Sequence, residues 1–336
     1  MSESPFIHLA IRSSYSLLES MISPKDVKAW CEEHLVPAVA ITDRNILFGA
    51  LEISLTLSGA GIQPIMACCF DVVEDVPRAE PSRLSLYAQN ETGYRRLMYL
   101  SSRAYLDAAD GVPKLSRALL MEQTDGLIVL TGGAEGEVAK HLLKGRVADA
   151  RTELSTLAGA YPGRCYVEIT RHGTPEERAV EEGLIELAYE LELPLVATHD
   201  ARFMKPEDAQ AHDAMMCISN GEYLGQPDRK QVSAQQYLKS PSEMRLLFAD
   251  LPEAIENTVE IAQRCSVKAE THKPILPNFS NEGRSEAEEL RKQALEGLEF
   301  RLKEADRLYA ERETYFERLD YELGIIERMG FPGYFL

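Results

Sequence analysis

The sequence lacks the features that mark several protein classes. It has no apolar run long enough to span a bilayer, and its start lacks the basic residues and apolar core of a secretory signal. It has no Gly-rich phosphate loop, no Ser-His-Asp spacing and no internal repeat. Its 6 cysteines contain no Cys-x-x-Cys pair. Reduced, buried thiols in a cytoplasmic protein are the expectation.

Basic residues are also scarce. There are 36 Lys and Arg against 54 Asp and Glu, and the formal net charge is -18. Nucleic-acid binding needs clustered basic side chains, so this chain is not expected to provide the main binding surface for DNA or RNA. The hydrophobic content of 45% suits a sizeable core, and 336 residues favour one large domain with an appendage.

Strand-like and helix-like segments alternate up to Asp200. The predicted strands are Ile7–Ile11, Pro37–Thr42, Ile65–Val73, Arg83–Ala88, Gly126–Thr131, Tyr166–Thr170 and Pro194–Thr198. The predicted helices are Ser23 to about His34, Leu47–Leu57, Glu91–Ala108, Glu135–Leu143, Ala148–Ala160 and Glu176–Leu191. This alternation predicts a parallel α/β sheet with crossover helices, either closed as a barrel or open, with ligands at the carboxyl ends of the strands.

The pattern after Asp200 is helical. Predicted helices cover Glu207–Ser219 and Glu253–Cys265, and a capping box at Ser285 starts a pair of charged amphipathic helices, the first reaching about Tyr309. The predicted domains are residues 1–270 (a barrel over about 5–205, then helices), a linker over 271–284 and a helical region over 285–336. The apolar ending Gly330–Leu336 is typical of the entry into a further domain.

The first predicted strand has the form of a metal-site strand without its ligands. His8 opens an alternating run, and the positions on the same side are Ala10 and Arg12. A methyl group and a guanidinium cannot bind a cation.

Several motifs, in order along the chain, resemble one family. The principal ones are His8-Leu9 with Ser13 and Tyr15-Ser16-Leu17-Leu18, Ala40-Ile41-Thr42-Asp43-Arg44-Asn45 with Leu47 and Gly49, and Gly330-Phe331-Pro332-Gly333-Tyr334-Phe335. Further matches are Gly61-Ile62 with Pro64-Ile65, Thr92-Gly93-Tyr94 with Leu97, and Val196-Ala197-Thr198 with Asp200, Arg202 and Phe203. Together they resemble the amino-terminal part of bacterial DNA polymerase III alpha subunits. That part is a PHP (polymerase and histidinol phosphatase) domain followed by the start of the polymerase module.

The resemblance implies a distorted seven-stranded barrel related to the TIM barrel, followed by a helical extension. It also implies that the palm domain, with its catalytic aspartates and Mg, lies beyond Leu336. On that basis no catalytic residue and no cofactor are expected in this chain.

Metal-binding PHP domains carry His, Asp and Glu ligands at their strand ends, and the resemblance places the corresponding pocket here. Its positions are His8, Ala10, Arg12, Asp43, Arg44, Cys69, Arg83, His172, Asp200 and Arg202. Asp43, His172 and Asp200 keep a ligand type, with His8 beside them. The other six depart from the pattern, and four of them are arginines, which cannot coordinate a metal and repel one. No multinuclear metal cluster is expected.

The arginines suggest a substitute for the metal. We expect Arg12, Arg44, Arg83 and Arg202 to pair with Asp43 and Asp200, because buried carboxylates without counter-charge are costly. A variant of this hypothesis is that surplus positive charge lets the four arginines bind an anion such as phosphate.

Three other residues lie near these motifs. His199 is expected to face away from the pocket because neighbouring side chains on a strand point to opposite sides. Packing or capping is the expectation for His212. Glu168 could face the pocket or pair with a neighbouring arginine.

The resemblance implies a non-catalytic scaffold of a DNA-directed DNA polymerase in DNA replication. Its implied partners are the proofreading 3′–5′ exonuclease subunit and the rest of the polymerase chain and holoenzyme, with DNA contacted only through the missing domains and no membrane. The alternative is a metal-dependent phosphoesterase or 3′–5′ exonuclease of the PHP superfamily, for which few ligands survive.

Overall fold

The computed structural model describes residues 6–73, 80–226, 229, 231–273, 279, 283–305 and 309–336. The chain divides into two compact units, Met1–Glu270 and Thr271–Leu336. Among the described residues, no helix is long and apolar enough to cross a membrane.

The described part of the first unit contains one seven-stranded sheet. Its strands are β1 (Ala38–Ile41), β2 (Gln63–Val73), β3 (Ser82–Ala88), β4 (Leu115–Ser116), β5 (Leu127–Leu130), β6 (Cys165–Thr170) and β7 (Leu195–Thr198). Their spatial order is β1-β2-β3-β5-β6-β7, and the short β4 pairs with the end of β2.

Residues 7–11 connect the two edges of this curled sheet. On one side, the Ala40 N–H donates to the carbonyl of His8 at 2.9 Å. On the other, Ile11 forms a bridge with Ala201, just beyond β7, as well as with Ile41 in β1. The predicted fold class, an α/β barrel-like domain followed by helices, is confirmed. The regular strand predicted over Ile7–Ile11 is wrong, since only Ile11 forms bridges there.

The parallel arrangement predicted for the whole sheet is also wrong at β3. This strand is antiparallel to both β2 and β5, whereas β1–β2, β5–β6 and β6–β7 are parallel. Only residues 74–81 separate β2 from β3. That connection is too short for the crossover helix that a parallel pair needs. As a consequence, the beginning of β3, where Arg83 lies, meets the carboxyl ends of its neighbours.

The helices mostly follow the predicted segments. They are α1 (Pro24–His34), α2 (Ala50–Ser58), α3 (Glu91–Leu106), α4 (Arg117–Leu120), α5 (Glu137–Leu143), α6 (Val147–Ala160), α7 (Pro175–Glu190), α8 (Ala209–Asn220), α9 (Pro241–Leu247), α10 (Pro252–Arg264), α11 (Glu286–Glu304), α12 (Arg312–Met329) and α13 (Pro332–Phe335). The sequence patterns miss β4, α4, α9 and α13, all of which are short. α2 begins three residues later than predicted, after Gly49.

The sheet is buried on both faces. In β5, Leu127 and Val129 belong to the core between sheet and helices, while Ile128 and Leu130 belong to the core inside the barrel. Successive strand residues point to opposite faces, so a continuous apolar run is required here. This is why the short strands read as unbroken runs rather than as alternating patterns.

The second unit contains an antiparallel helix pair. Arg291, early in α11, contacts Asp320 at 2.6 Å and Glu327 at 3.3 Å in the later part of α12. Glu299, late in α11, pairs with Arg312 at the start of α12. The predicted pair of helices is confirmed for this unit. The predicted continuation of the first helix to Tyr309 passes through residues 306–308, which lie outside the described residues.

The first unit yields a stability prediction at Thr258 in α10. Its hydroxyl accepts the Ile7 N–H at 3.1 Å, and both groups are buried. Thr258→Val keeps the shape but leaves that N–H without its acceptor, so we expect the free energy of unfolding to fall by about 1–3 kcal/mol. Chemical denaturation measures the change. Thr152→Val, at an exposed site on α6, is the control, and an equal loss in both variants would contradict the prediction.

Candidate functional site

A cavity of about 1320 Å³ lies at the carboxyl end of the barrel. Most of the residues that the sequence assigns to the pocket line it: Ala10, Arg12, Arg44, Cys69, Arg83, His172, Asp200 and Arg202. They come from residues 10–12, the turn after β1, strand β2, the beginning of β3 and the turns after β6 and β7. His8 and Asp43 lie outside this lining.

Eight charged residues form a continuous series of ion pairs around the mouth of the barrel. We call this the charge series, and its order is Arg202, Asp200, Arg12, Glu19, Arg44, Asp71, Arg83 and Glu135. Arginine and carboxylate alternate throughout. Each member after the first therefore contacts a group of opposite charge from another part of the fold.

Asp200 anchors one half of the series. Its Oδ1 accepts from Arg12 Nε at 2.8 Å, and its Oδ2 accepts from Arg202 Nη2 at 2.8 Å. Arg12 reaches on to Glu19 at 3.1 Å. Burial would raise the pKa of Asp200, but the charges of Arg12 and Arg202 outweigh it and hold that pKa far below its ordinary value. Asp200 is therefore ionised at any physiological pH.

Asp71 anchors the other half. Arg44 Nε donates to Asp71 Oδ2 at 2.6 Å, and Arg83 Nε approaches Asp71 Oδ1 at 3.4 Å. Arg44 also contacts Glu19 at 2.8 Å, which joins the two halves. Arg83 continues to Glu135. Burial would raise the pKa of Glu19, but Arg12 and Arg44 lower it overall.

The charges of the series cancel, because it contains four guanidinium groups and four carboxylates. The cavity lining adds Lys140 and Lys144, but also further carboxylates: Glu80, Glu137, Glu168, Glu176 and Glu177. The surplus of positive charge on which the anion-binding hypothesis depends is therefore not found in the described lining.

Asp43 is held by serines rather than by an arginine. Its Oδ1 accepts from the Ser13 N–H at 2.8 Å and from the Ser16 hydroxyl at 2.7 Å, and its Oδ2 accepts from the Ser13 hydroxyl at 2.7 Å. The predicted pairing of Asp43 with the arginines is wrong. The neighbouring Arg44 instead pairs with Glu19 and Asp71. Both oxygens of Asp43 are committed to these donors.

His172 has both ring nitrogens occupied. Its Nε2 accepts the Asp200 N–H at 3.1 Å, so its Nδ1 carries the proton and donates to Glu177 at 2.6 Å. Burial would raise the pKa of Glu177, but the hydrogen bonds that it accepts from His172 and from the Thr174 N–H outweigh burial, and the pKa falls to about 2. Neither nitrogen of His172 is left with a lone pair directed at the cavity.

The rings of His8 and His199 lie 6.3 Å apart, and neither residue belongs to the cavity lining. His8 Nε2 donates to the carbonyl of Lys239 at 2.8 Å, and His199 Nε2 donates to that of Tyr237 at 2.9 Å. Both rings are fully buried. Burial lowers the pKa of His8 to about 4 and that of His199 well below its ordinary value. His199 lies outside the cavity lining, as the strand alternation predicts.

Glu168 faces the cavity and has no arginine among its hydrogen-bond partners in the described residues. Its carboxyl accepts from the Thr198 hydroxyl at 2.5 Å and from the Gly132 N–H at 2.9 Å. Burial raises its pKa. His212 packs against the charge series from α8, with its Nε2 hydrogen-bonded to the carbonyl of Glu19 at 2.9 Å.

Sequence reasoning missed three carboxylates of the charge series. Asp71 follows Cys69 by two residues on β2, so strand alternation places both on one side and could have identified it. Glu19 lies in an irregular turn and Glu135 in a single helical turn. No periodicity singles out either of these two.

Comparisons with known proteins identify the domain to which these residues belong. The family model for the PHP domain matches residues 8–172. This chain contains a PHP domain. It is 46% identical over 338 residues to DNA polymerase III subunit alpha of Caulobacter vibrioides, which covers 98% of this chain and 30% of that protein. It is 39% identical over 343 residues to DNA polymerase III subunit alpha of Escherichia coli. That match covers 100% of this chain and 30% of that protein.

The family resemblance read from the motifs is thereby confirmed. The chain spans about 30% of the length of these curated relatives. Solved structures match with low scores. An amidohydrolase from Chromobacterium violaceum with bound sulfate and no metal gives 12% identity and a TM-score of 0.39 over 58% of this chain and 87% of that one. A two-domain protein from Bacteroides vulgatus contains a predicted PHP-like metal-dependent phosphoesterase. It is 9% identical to this chain with a TM-score of 0.34, and the match covers 83% of this chain and 73% of that one.

The donor set that a PHP metal would need is engaged elsewhere in this fold. The two oxygens of Asp43, the two oxygens of Asp200 and the two nitrogens of His172 all have protein partners. In the part of the chain that the structure describes, no group of three or more His, Cys, Asp or Glu is arranged to hold a metal ion. These residues do not fit a divalent cation in this arrangement.

The charge series predicts a large effect of removing Arg12. This side chain is only 3% exposed, and Arg12→Met leaves Asp200 and Glu19 with one arginine each. We expect a loss of about 3 kcal/mol in the free energy of unfolding, measured by chemical denaturation. Arg95→Met, which breaks an exposed pair with Glu91, is the matched control and should cost less than about 1 kcal/mol. Equal effects would mean that the series contributes no more than a surface pair.

Acid sensitivity follows from His8. The pKa of His8 is near 6.5 in the unfolded chain, whereas burial lowers its pKa to about 4 in the folded chain. Between these values the unfolded state binds more protons, so the free energy of unfolding falls as the pH drops. His8→Gln, which can still donate to the Lys239 carbonyl, should remove about 3 kcal/mol of that pH-dependent loss. Denaturation at pH 7 and pH 4 measures it, and an unchanged pH slope would contradict the assignment.

Proposed function

We propose that this chain is the PHP-bearing part of the catalytic subunit of a bacterial replicative DNA polymerase, and that it acts there as a non-catalytic scaffold. The single observation that carries the proposal is the charge series. Its four arginines stand at positions where metal-binding PHP domains carry ligands, or close to them, and each is neutralised by protein carboxylates.

The loss of metal chemistry is one step of this proposal. A two-metal site stabilises attacking and leaving oxygens only when several carboxylates and imidazoles converge on the ions with free lone pairs. Here the candidates Asp43, His172 and Asp200 have all been turned to hydrogen bonds within the fold. The arginine charges would also repel an entering cation. We infer that the pocket does not hold a metal and does not support metal-dependent hydrolysis.

The structural role is the second step. The series joins the segment after Ile11, the turn after β1, strands β2 and β3 and the turns after β5 and β7. Charged groups that are held in such a network fix the relative positions of the elements that carry them. A rigid barrel mouth suits a domain whose task is to support the polymerase and to receive other subunits in the bacterial cytoplasm.

The third step concerns the partners. Similarity to DNA polymerase III subunit alpha over nearly the whole chain supports membership of a replicative holoenzyme. Within it, we propose that this chain docks the proofreading 3′–5′ exonuclease subunit. The net charge of -18 supports contacts with protein rather than with DNA. Nucleotide transfer, with its Mg, would belong to sequence outside this chain.

The rival function, a metal-dependent phosphoesterase or exonuclease, is tested directly. The purified chain, dialysed against Mn and Zn, should retain less than about 0.1 metal ion per molecule by mass spectrometry, since its donors are engaged. It should also fail to hydrolyse p-nitrophenyl phosphate or single-stranded DNA with added Mn. Asp43→Ala is the control variant for any activity seen. Stoichiometric metal, or turnover that Asp43→Ala abolishes, would overturn the scaffold proposal.

A further inference from the structure

Glu168 is a buried carboxylate of the cavity to which the described residues bring no ion-pair partner. It is 5% exposed, and its carboxyl accepts from the Thr198 hydroxyl and from the Gly132 N–H, neither of which carries a charge. Asp71 and Asp200, by contrast, each contact two arginines of the charge series. Burying an ionised carboxylate without a cation beside it is costly. A cation that entered the cavity would therefore be stabilised at Glu168.

The carboxyl of Glu168 also has acceptor positions to spare. Its two oxygens offer about four such positions. The described residues fill one on each oxygen, with Thr198 at Oε1 and Gly132 at Oε2. Because Glu168 belongs to the cavity lining, the remaining positions are available to a donor that comes from the cavity.

Two hydroxyl groups in the buried part of the same lining are placed to accept as well. Thr42 is 2% exposed and Ser85 is 6% exposed, and both line the cavity. The Thr42 hydroxyl donates its proton to the carbonyl of Ile11 at 3.5 Å. The Tyr87 hydroxyl donates to the carbonyl of Leu9, so Ser85 is the donor where its side chain interacts with Tyr87. Both hydroxyls keep lone pairs for a further donor.

The lining as a whole carries a surplus of negative charge. The charge series cancels within itself, and the rest of the described lining adds five carboxylates against two lysines. One of these lysines, Lys140, is already held by the carbonyls of Glu80 and Pro81 at 3.1 and 2.7 Å. The surplus has the same sign as the net charge of -18 on the whole chain. Both favour the entry of a cation over that of an anion.

The donors and acceptors indicate an ammonium group rather than a metal ion. A metal ion needs several ligands at one point, and the described residues form no group of three or more His, Cys, Asp or Glu that could hold one. An ammonium group needs acceptors for its three N–H bonds instead. One carboxylate and neighbouring hydroxyls meet that need, and the guanidinium groups are already neutralised by their own carboxylates.

The size of the cavity indicates a chain molecule. A volume of about 1320 Å³ exceeds what a single ion needs and is sufficient for a small organic molecule. Glu80 and Glu176 are exposed members of the lining, and no ion pair of their carboxylates occurs within the described ranges. With one ammonium at Glu168, a second at the other end of a flexible chain would find a carboxylate at the opening.

We propose that this cavity binds a linear aliphatic amine that carries two or more ammonium groups, with one of them held at Glu168. Thr42 and Ser85 accept its remaining N–H bonds, and the outer carboxylates attract its far end. The charge series forms the wall of the site and makes no bond to the amine. This binding activity goes beyond the scaffold function and does not depend on it.

The test measures binding of hexamethylenediamine to the complete 336-residue chain by isothermal titration calorimetry in about 150 mM salt, where weak surface attraction is screened. We expect one molecule per chain. Glu168→Gln should weaken binding about tenfold or more, since it removes a charged acceptor. Glu256→Gln loses the same charge at an exposed site on α10 outside the lining. It is the matched control and should bind as the unchanged chain does.

A matched ligand tests the role of the acceptors. Hexamethonium has the same two charges on the same six-carbon chain, but methyl groups replace its N–H donors. It should bind the unchanged chain no more tightly than hexamethylenediamine binds Glu168→Gln. Equal affinity of the two ligands for the unchanged chain would overturn the proposal.

Two further outcomes contradict the proposal. One is the absence of binding at millimolar hexamethylenediamine, and the other is equal binding by the unchanged chain and Glu168→Gln, which would mean attraction by overall charge. Thermal unfolding establishes that the variants are folded. If Glu168→Gln does not fold, Ser85→Ala keeps the carboxylate, removes one acceptor and should still weaken binding several-fold. Unchanged affinity in Ser85→Ala would then overturn the site.

Discussion

The fold depends on one electrostatic constraint, which is that carboxylates buried at the mouth of the barrel need positive charge beside them. Asp200 and Asp71 lie where strands converge, and Asp71 is almost fully buried. An isolated ionised carboxylate in such a place would be expelled or protonated. Arg12, Arg44 and Arg83 supply the charge from neighbouring elements, so the same contacts that neutralise the acids also hold the barrel elements together.

In this arrangement guanidinium groups are the counter-ions of the carboxylates. A metal ion binds several ligands at one point, whereas a guanidinium bonds in a plane and connects two carboxylates at a distance. The result is an extended series around the cavity rather than a compact centre. Such a series connects elements on several sides of the cavity through alternating charges.

Much of the fold was predictable from the sequence because the buried strands are short apolar runs between strong helix signals. The run Leu127–Leu130 and the capped helix after Thr174 are of this kind. The direction of β3 was not predictable from periodicity, since a strand pattern reads alike in both directions. The motif at Ile7–Ile11 correctly located a segment that pairs with the sheet. Its bridges to both edges of the sheet, at Ile41 and at Ala201, depend on tertiary contacts that the motif does not encode.

The candidate site was predictable in its members and less so in its pairings. The motif positions led to Arg12, Arg44, Arg83, Asp200 and Arg202, all of which line the cavity. The pairing of Asp43 was wrong because Ser13 and Ser16, which stand in the first motif, are closer donors than any arginine. Glu19 was missed because an irregular turn carries no periodic signal.

The most direct measurement of the central claim is anomalous X-ray diffraction from crystals of this chain soaked in Mn and in Zn. The account predicts no anomalous peak in the cavity and an intact series from Arg202 to Glu135. A metal peak coordinated by Asp43, His172 or Asp200, with Arg12 and Arg202 displaced from Asp200, would contradict it.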